Sequence, residues 1–370
     1  SLMWVLCGSM FSYLLYQNGT FQYIFQKITA KKRGPALQML LLVLFIAIPG
    51  MITGTASAGI LTTGLMAGKY LLSKGVEKAK AVEVVAVGAL FGVVLPPLCM
   101  PAMLTTIATT QQGYPGAFEG FFLPCLIVAL PALVVYSVMA GGRVLDGVEA
   151  DASRKPAGGP VCLVPLIVVA LLVFGHNFLY FVMPFLGYPL IYTIGFVLAV
   201  FLKAGKANPL ESAAEGVCVV APELALMCAF GAAMETLTLV GTNGTLSAQM
   251  AILGVNGTLQ TLVLAALVLV GGTLLGPCFA VVLATVANYL MTEALYGATD
   301  MPMLAMGMVV AVTLFTALRG GVVDLAGQAL EVSGVSGSGV RKMAAVPVVL
   351  LLAVTVVYFV ARAACASLMI

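Results

Sequence analysis

The chain has 370 residues, of which 62% are hydrophobic and only 8% charged, with a formal net charge of +3 and a mean hydropathy of +1.12. A soluble domain of this size carries about 25% charged residues, so the composition excludes an ordinary soluble enzyme. So small a positive excess also gives no reason to expect a nucleic-acid partner. The expected solvent is the lipid bilayer, which satisfies no backbone polar group and admits only helices or a closed barrel. The runs 262–275 and 350–360 lack the strict alternation of a barrel strand. The sequence therefore predicts an all-α, polytopic membrane protein. The eight cysteines form no CxxC or Cys/His ligand spacing and read as small buried hydrophobes. The lone His176 has no ligand neighbours and reads as an interfacial histidine.

The opening stretch, residues 1–35, reads as a first transmembrane helix followed by a basic amphipathic connector. It begins at Ser1 rather than Met, which predicts an N-terminally truncated piece of a longer product. Next comes a first repeat, 36–140. Lys27, Lys31, Lys32 and Arg33 precede its first segment, and Lys69, Lys74, Lys78 and Lys80 follow it. The arms on either side of Thr53-Gly54-Thr55-Ala56-Ser57 are about 14 residues or fewer, near 21 Å at 1.5 Å per residue. Such arms do not span a bilayer comfortably, and basic flanks on both sides place both ends in the cytoplasm. The segment 36–72 is thus expected to be a re-entrant hairpin with its tip at Thr53 to Ser57. A broken helix, 81–112, interrupted by Pro96-Pro97, and a helix at 119–140 complete the repeat.

A connecting loop and scaffold helices occupy 141–215. A second repeat, 216–370, follows the same grammar: a helix at 217–240, a hairpin at 258–292, a broken helix at 303–330 and a last helix at 343–369. Its breakers are Gly271-Gly272, Gly276-Pro277 and Arg319-Gly320-Gly321. Gly54 and Pro97 stand 43 positions apart, and Gly276 and Gly320 stand 44 apart. The loops 111–119, 241–257 and 293–302 contain no Lys or Arg. Arg143, Arg154, Lys155, Lys203, Lys206, Arg341 and Lys342 fall in loops on the other side, and Arg362 alone disagrees. Two hairpins entering from opposite faces, each followed by a broken helix, form the inverted-repeat plan of elevator-type secondary transporters.

The stretch from Thr53-Gly54-Thr55-Ala56-Ser57 through Gly75 to Gly92-Val93-Val94-Leu95-Pro96-Pro97 resembles the large membrane (M) subunit of TRAP transporters, the tripartite ATP-independent periplasmic family. Residues 8–19, 116–140 and 307–327 extend the resemblance over most of the chain, with 141–240 the least similar. Ala56 lacks the family's tip hydroxyl, Arg319-Gly320-Gly321 replaces a Thr-Pro-Pro-type break, and no threonine-glutamate-alanine segment appears near 189–197. The resemblance implies a divergent member that imports a small organic anion such as a carboxylate across the bacterial inner membrane, driven by Na⁺. It also implies two partners, a small four-helix membrane subunit and a periplasmic substrate-binding protein. A stand-alone symporter or antiporter of the same superfamily is the alternative, and a non-transporting membrane scaffold the second. No cofactor is implied, and no Walker motif or catalytic dyad points to an enzyme.

Unwound hairpin tips offer a hard cation such as Na⁺ carbonyl and hydroxyl oxygens. Thr53, Gly54, Thr55 and Ser57, with the backbone around Pro96 and Pro97, are expected to form one such site. Gly276, Thr316, Gly320 and Gly321 are expected to form its symmetry mate. The same residues also read as close-packing small residues and kinks. Arg319 and Asp324 are the candidate substrate-binding pair: a guanidinium at membrane depth either takes the substrate anion or is neutralised by Asp324 across the break. Glu83 is expected to pair with Lys80, and Glu223 to lie near a wet helix start. Cysteines placed at Gly34 and Gly75 should label from the cytoplasm; labelling of either from outside alone would overturn the hairpin and with it the repeat.

Overall fold

The computed structural model describes residues 2–31, 33–97, 117–145, 159–179, 186–202, 208–242, 257–275 and 321–332, with isolated positions at 245, 249, 283–284, 349, 352–353 and 356–357. Every regular element among them is helical. In chain order these are α1 (Leu2–Gln17), α2 (Thr20–Thr29), α3 (Pro35–Thr53), α4 (Ala56–Gly59), a π-helical turn (Ile60–Gly64), α5 (Leu65–Ser73) and α6 (Lys78–Val94). After them come α7 (Ala117–Val144), a 3₁₀ turn (Pro160–Leu163), α8 (Val164–Phe178), α9 (Tyr188–Phe201), α10 (Pro209–Leu239), α11 (Gly257–Leu275) and α12 (Gly321–Ala329).

Local chemistry sets the boundaries. Pro35 opens α3 at a position that needs no amide donor, and Gly54 closes it in the left-handed region at φ 75°. At the end of α5 the Val76 N–H donates to Leu71 O and the Gly75 N–H to Leu72 O, with Gly75 at φ 81°. The helix α6 stops at Val94 because Leu95, held extended at φ −68° and ψ 143°, precedes Pro96, whose ring disfavours the helical region for its neighbour.

The helix α3 is the centre of the molecule. Gly50 and Gly92 bring α3 and α6 together, so that a Cβ at Gly50 would stand 3.0 Å from Gly92 Cα. Ile46 rests on Gly88 four residues earlier on both helices, which makes the pair parallel. The C-terminal end of α7 returns across the start of α3, with Gly141 against Pro35 and Ala36. On the other side α1 runs antiparallel to α10: Gly216 faces Ser9 O, and Gln17 Nε2 donates to Glu215 Oε2 at 2.6 Å while Gln17 Oε1 accepts from Ser212 Oγ at 2.6 Å. Aromatic contacts of Trp4 with Tyr188 and of Phe11 with Tyr192 join α1 to α9.

Several helices turn an apolar stripe outward. Ile167, Leu171 and Phe174 on α8, Leu190, Ile194, Val197 and Phe201 on α9, and Ile127, Leu130, Val134 and Val138 on α7 are all exposed. Each set follows helical spacing, so whole faces rather than scattered residues are apolar. Soluble monomers rarely expose such contiguous surface. The helix α3 and residues Pro209–Leu237 are each long and apolar enough to cross a membrane.

Some expectations are revised. The helix α10 begins at Pro209 rather than 217, so Glu223 sits in mid-helix instead of near a helix start. The expected pairing of Glu83 with Lys80 does not form: Lys80 Nζ reaches Glu77 at 3.3 Å, one helical turn away in the other direction. Cys218 and Cys228 are exposed on α10, not buried. His176 is buried, its ring 5.3 Å from that of Tyr188.

The tightest test of this packing is Gly92→Ala, whose Cβ would approach Ala47 O at 2.6 Å. Overpacking of this kind costs about 1–3 kcal/mol. The melting temperature of the purified protein should fall, whereas Gly142→Ala, which meets nothing within 4 Å, should leave it unchanged.

Candidate functional site

The chain from Pro35 to Ser73 is a helical hairpin. Its arms touch where Thr63 Oγ1 donates to Ile46 O at 3.2 Å, a pair placed symmetrically about the break at Gly54 and Thr55. The break is shorter than the five residues expected. Only Gly54 and Thr55 leave the helical region, Thr55 being extended at φ −120° and ψ 140°, and Ser57 already lies within α4.

Three residues with buried hydroxyls, Thr53, Thr55 and Ser57, lie in or within two positions of this break. Thr53 Oγ1 donates to Pro49 O at 2.9 Å and lies 2.9 Å from Thr55 Oγ1. It also accepts the Thr55 N–H at 3.2 Å. Thr53 thus caps the break from within, using a short side chain to satisfy a backbone donor that no helix serves. Ser57 differs. Its Oγ is buried and has no hydrogen-bond partner among the described residues. The α3 carbonyls of Met51, Ile52 and Thr53 lie in the last turn, where helix geometry supplies no donors. The tip therefore concentrates oxygen acceptors in a dry place.

Its enclosure comes from three other elements. Val5 of α1, Val93 of α6 and Val220 of α10 close over Ala58, with Ala56, Leu224 and Met227 packed alongside. Gly8 of α1 is pressed onto the last turn of α3, where a Cβ would stand 2.6 Å from Ile52 O. Pro96 and Pro97 follow directly on the end of α6, one turn beyond Val93. The prolines thus belong to the same end of α6 as the tip's enclosing wall.

Asp324 is exposed in the first turn of α12, and Gly321 is the first described residue of that helix. The helix α12 rests against the return arm, with Leu330 over Gly68. Gly276, Thr316, Arg319 and Gly320 lie outside the described residues.

Sequence reasoning passed over Thr62, Thr63 and Gly8. Thr62 Oγ1 donates to Ala58 O at 2.5 Å, and Thr63 ties the arms together. Both lie in the π-helical turn, a feature that often marks a functional segment of a helix. The dipeptide Thr62-Thr63 before Gly64, inside an apolar arm, was the available signal.

No family model matches the chain, and no curated protein matches it in sequence. Among solved structures, the YdaH transporter of Alcanivorax borkumensis, described as having an unusual topology, superposes with a TM-score of 0.57 at 15% identity, covering 96% of this chain and 84% of that one. The two chains share a fold.

The two kinds of hydroxyl at the tip separate by stability. Thr53→Val keeps the shape but strands the Thr55 N–H, a loss of about 1–3 kcal/mol, and thermal melting should register it. Ser57→Ala removes a buried polar atom with no partner to lose, so its melting temperature should hold or rise.

Proposed function

We propose that the chain is a multi-pass secondary transporter of the bacterial inner membrane that imports a small organic anion, such as a carboxylate, with Na⁺ as coupling ion. The observation that carries this reading is the buried, unpartnered Ser57 Oγ two positions along the chain from the paired Thr53 and Thr55 hydroxyls at a two-residue helix break. An orphan polar atom in a dry site is costly unless something visits it, and a hard cation seeks such oxygens. The outward apolar faces support the membrane setting, and the fold shared with the YdaH transporter supports the transport class.

In this reading the hairpin 36–72 is re-entrant, with Gly34 and Gly75 on the cytoplasmic side. It moves with α6 as one body against the scaffold of α1, α9 and α10, in an elevator cycle. Thr53, Gly54, Thr55, Ser57 and the backbone at Pro96 and Pro97 form the first ion site. Gly276, Thr316, Gly320 and Gly321 form the second, and Arg319 takes the substrate carboxylate through its planar fork. The resemblance to TRAP large subunits at Thr53–Ser57 and Gly92–Pro97 supports a four-helix membrane subunit and a periplasmic binding protein as partners. No catalytic chemistry belongs to this proposal.

The test is Na⁺-driven uptake by the reconstituted protein, with its two genomic partners where they are encoded beside it. Thr55→Ala combined with Ser57→Ala should raise the Na⁺ concentration needed for half-maximal uptake by about tenfold while the protein remains folded. Unchanged Na⁺ dependence in that double variant would reduce the tip to a tight turn. Uptake by the chain without partners would favour the stand-alone alternative.

A further inference from the structure

A cleft lies away from the tip, between α2 and α5. The two helices enclose a cleft of about 420 Å³ lined by Gln22, Gln26 and Thr29 from α2, by Met66, Lys69 and Ser73 from α5, and floored by the rings of Phe25 and Tyr70. Each helix contributes one face, at spacings of three and four residues. The floor is fixed, because Phe25 stands edge-on to Tyr70 at 5.4 Å and also packs on Phe45. Nothing in the hairpin mechanism uses this cleft.

Its chemistry is one-sided. None of the lining residues is acidic, and Lys69 contributes a full positive charge. Lys74 stands over the outer side of the floor ring Tyr70 at 5.9 Å, and Lys27 over Tyr23 at 5.5 Å. Lys31 and Arg33 follow at the end of α2. The Thr29 and Ser73 hydroxyls donate to their own helices, at Phe25 O and Tyr70 O, and so keep only acceptor capacity. Gln26 Oε1 is buried and has no partner among the described residues. Its amide, like that of Gln22, can turn an NH₂ toward a ligand. An ammonium with two amides above an apolar floor suits a phosphate that carries an apolar extension.

We propose that this cleft binds the phosphate headgroup of an anionic membrane lipid. The helix α2 supports that source over a soluble anion. It packs Phe21 and Phe25 inward against Phe45 and exposes Gln22 and Lys27, and with Lys31, Arg33, Lys69 and Lys74 nearby it makes a basic surface of the kind that attracts anionic headgroups. The inference rests on the membrane reading above but not on transport, ion coupling or substrate. A lipid seated there would clamp the helix α2 to the return arm of the hairpin.

The experiment is lipid retention by the purified full chain in mild detergent, read by native mass spectrometry, with phosphatidylglycerol as probe and phosphatidylcholine as the zwitterionic reference. Phosphatidylglycerol should be retained selectively. Lys69→Gln should weaken that retention about fivefold, the worth of roughly 1 kcal/mol for one surface cation. Gln26→Leu should weaken it further, while Lys78→Gln, outside the cleft, should not. Equal retention of both lipids, or of phosphatidylglycerol by wild type and Lys69→Gln, would overturn the proposal. So would displacement of the lipid by millimolar inorganic phosphate, which would make the ligand a soluble anion. Absence of any lipid from the wild-type protein would strike the membrane reading itself.

Discussion

The structure depends on how closely two backbones can approach. Between Gly50 of α3 and Gly92 of α6 there is no room for a side chain on either helix, and Gly59 closes against Ala89 and Ile46 O from the return arm. Three helical segments therefore meet nearly backbone to backbone along one line. Within lipid there is no water to expel between helices, so association relies on dispersion and close fit, and small residues maximise both. The glycine line does for this chain what a large-residue core does in water. It also brings the broken tip of the hairpin against the C-terminal end of α6 without any bulky side chain between them.

That closeness has a polar consequence. A helix break strands donors and acceptors, and a site this enclosed has no solvent to satisfy them. The chain answers on the donor side with Thr53, whose one hydroxyl serves the Pro49 carbonyl, the Thr55 N–H and the Thr55 hydroxyl together. Threonine suits the position because its short side chain keeps the hydroxyl close to the main chain. Ser57 Oγ, donor and acceptor alike, is left without a partner among the described residues.

Much of the first repeat was legible because its signals are local. Gly54 and Pro96-Pro97 interrupt helices by φ preference and by a missing donor, effects that act within one turn and need no tertiary context. The extent of the break was not legible, since Ala56 and Ser57 are polar or small enough for a loop yet are drawn into a helix by the packing of Ala58 against Val5, Val93 and Val220. The π-helical turn was invisible for the same reason: nothing in Ile60 to Gly64 demands it, and the cross-arm bond from Thr63 to Ile46 fixes it only in the folded hairpin. Charge pairing failed where geometry chose between two near partners, with Lys80 turning to Glu77 and leaving Glu83 buried. The candidate second site, apart from Gly321 and Asp324, falls outside the described residues, so its grammar stands as sequence alone.

The scaffold side obeys a different rule from the hairpin. Between α1 and α10 the fit is partly polar: Gln17 bridges Ser212 and Glu215 through two hydrogen bonds that hold only in one register, and Gly216 locks onto Ser9 O. Such a pair resists sliding, because a shift of one turn would break both bonds and bury their partners unsatisfied. By contrast, the contact between the tip and this scaffold is made by Val5, Ala58, Val93 and Val220, with Gly8 of α1 pressed onto Ile52 O and no hydrogen bond among them. Apolar side chains lose little by exchanging one apolar neighbour for another, so in the elevator cycle proposed above this seam is where α3 to α6 would slide. The glycine line ties α3 to α6 and the Gln17 bridge ties α1 to α10, while the valine seam between the two pairs has no hydrogen bond among the described residues.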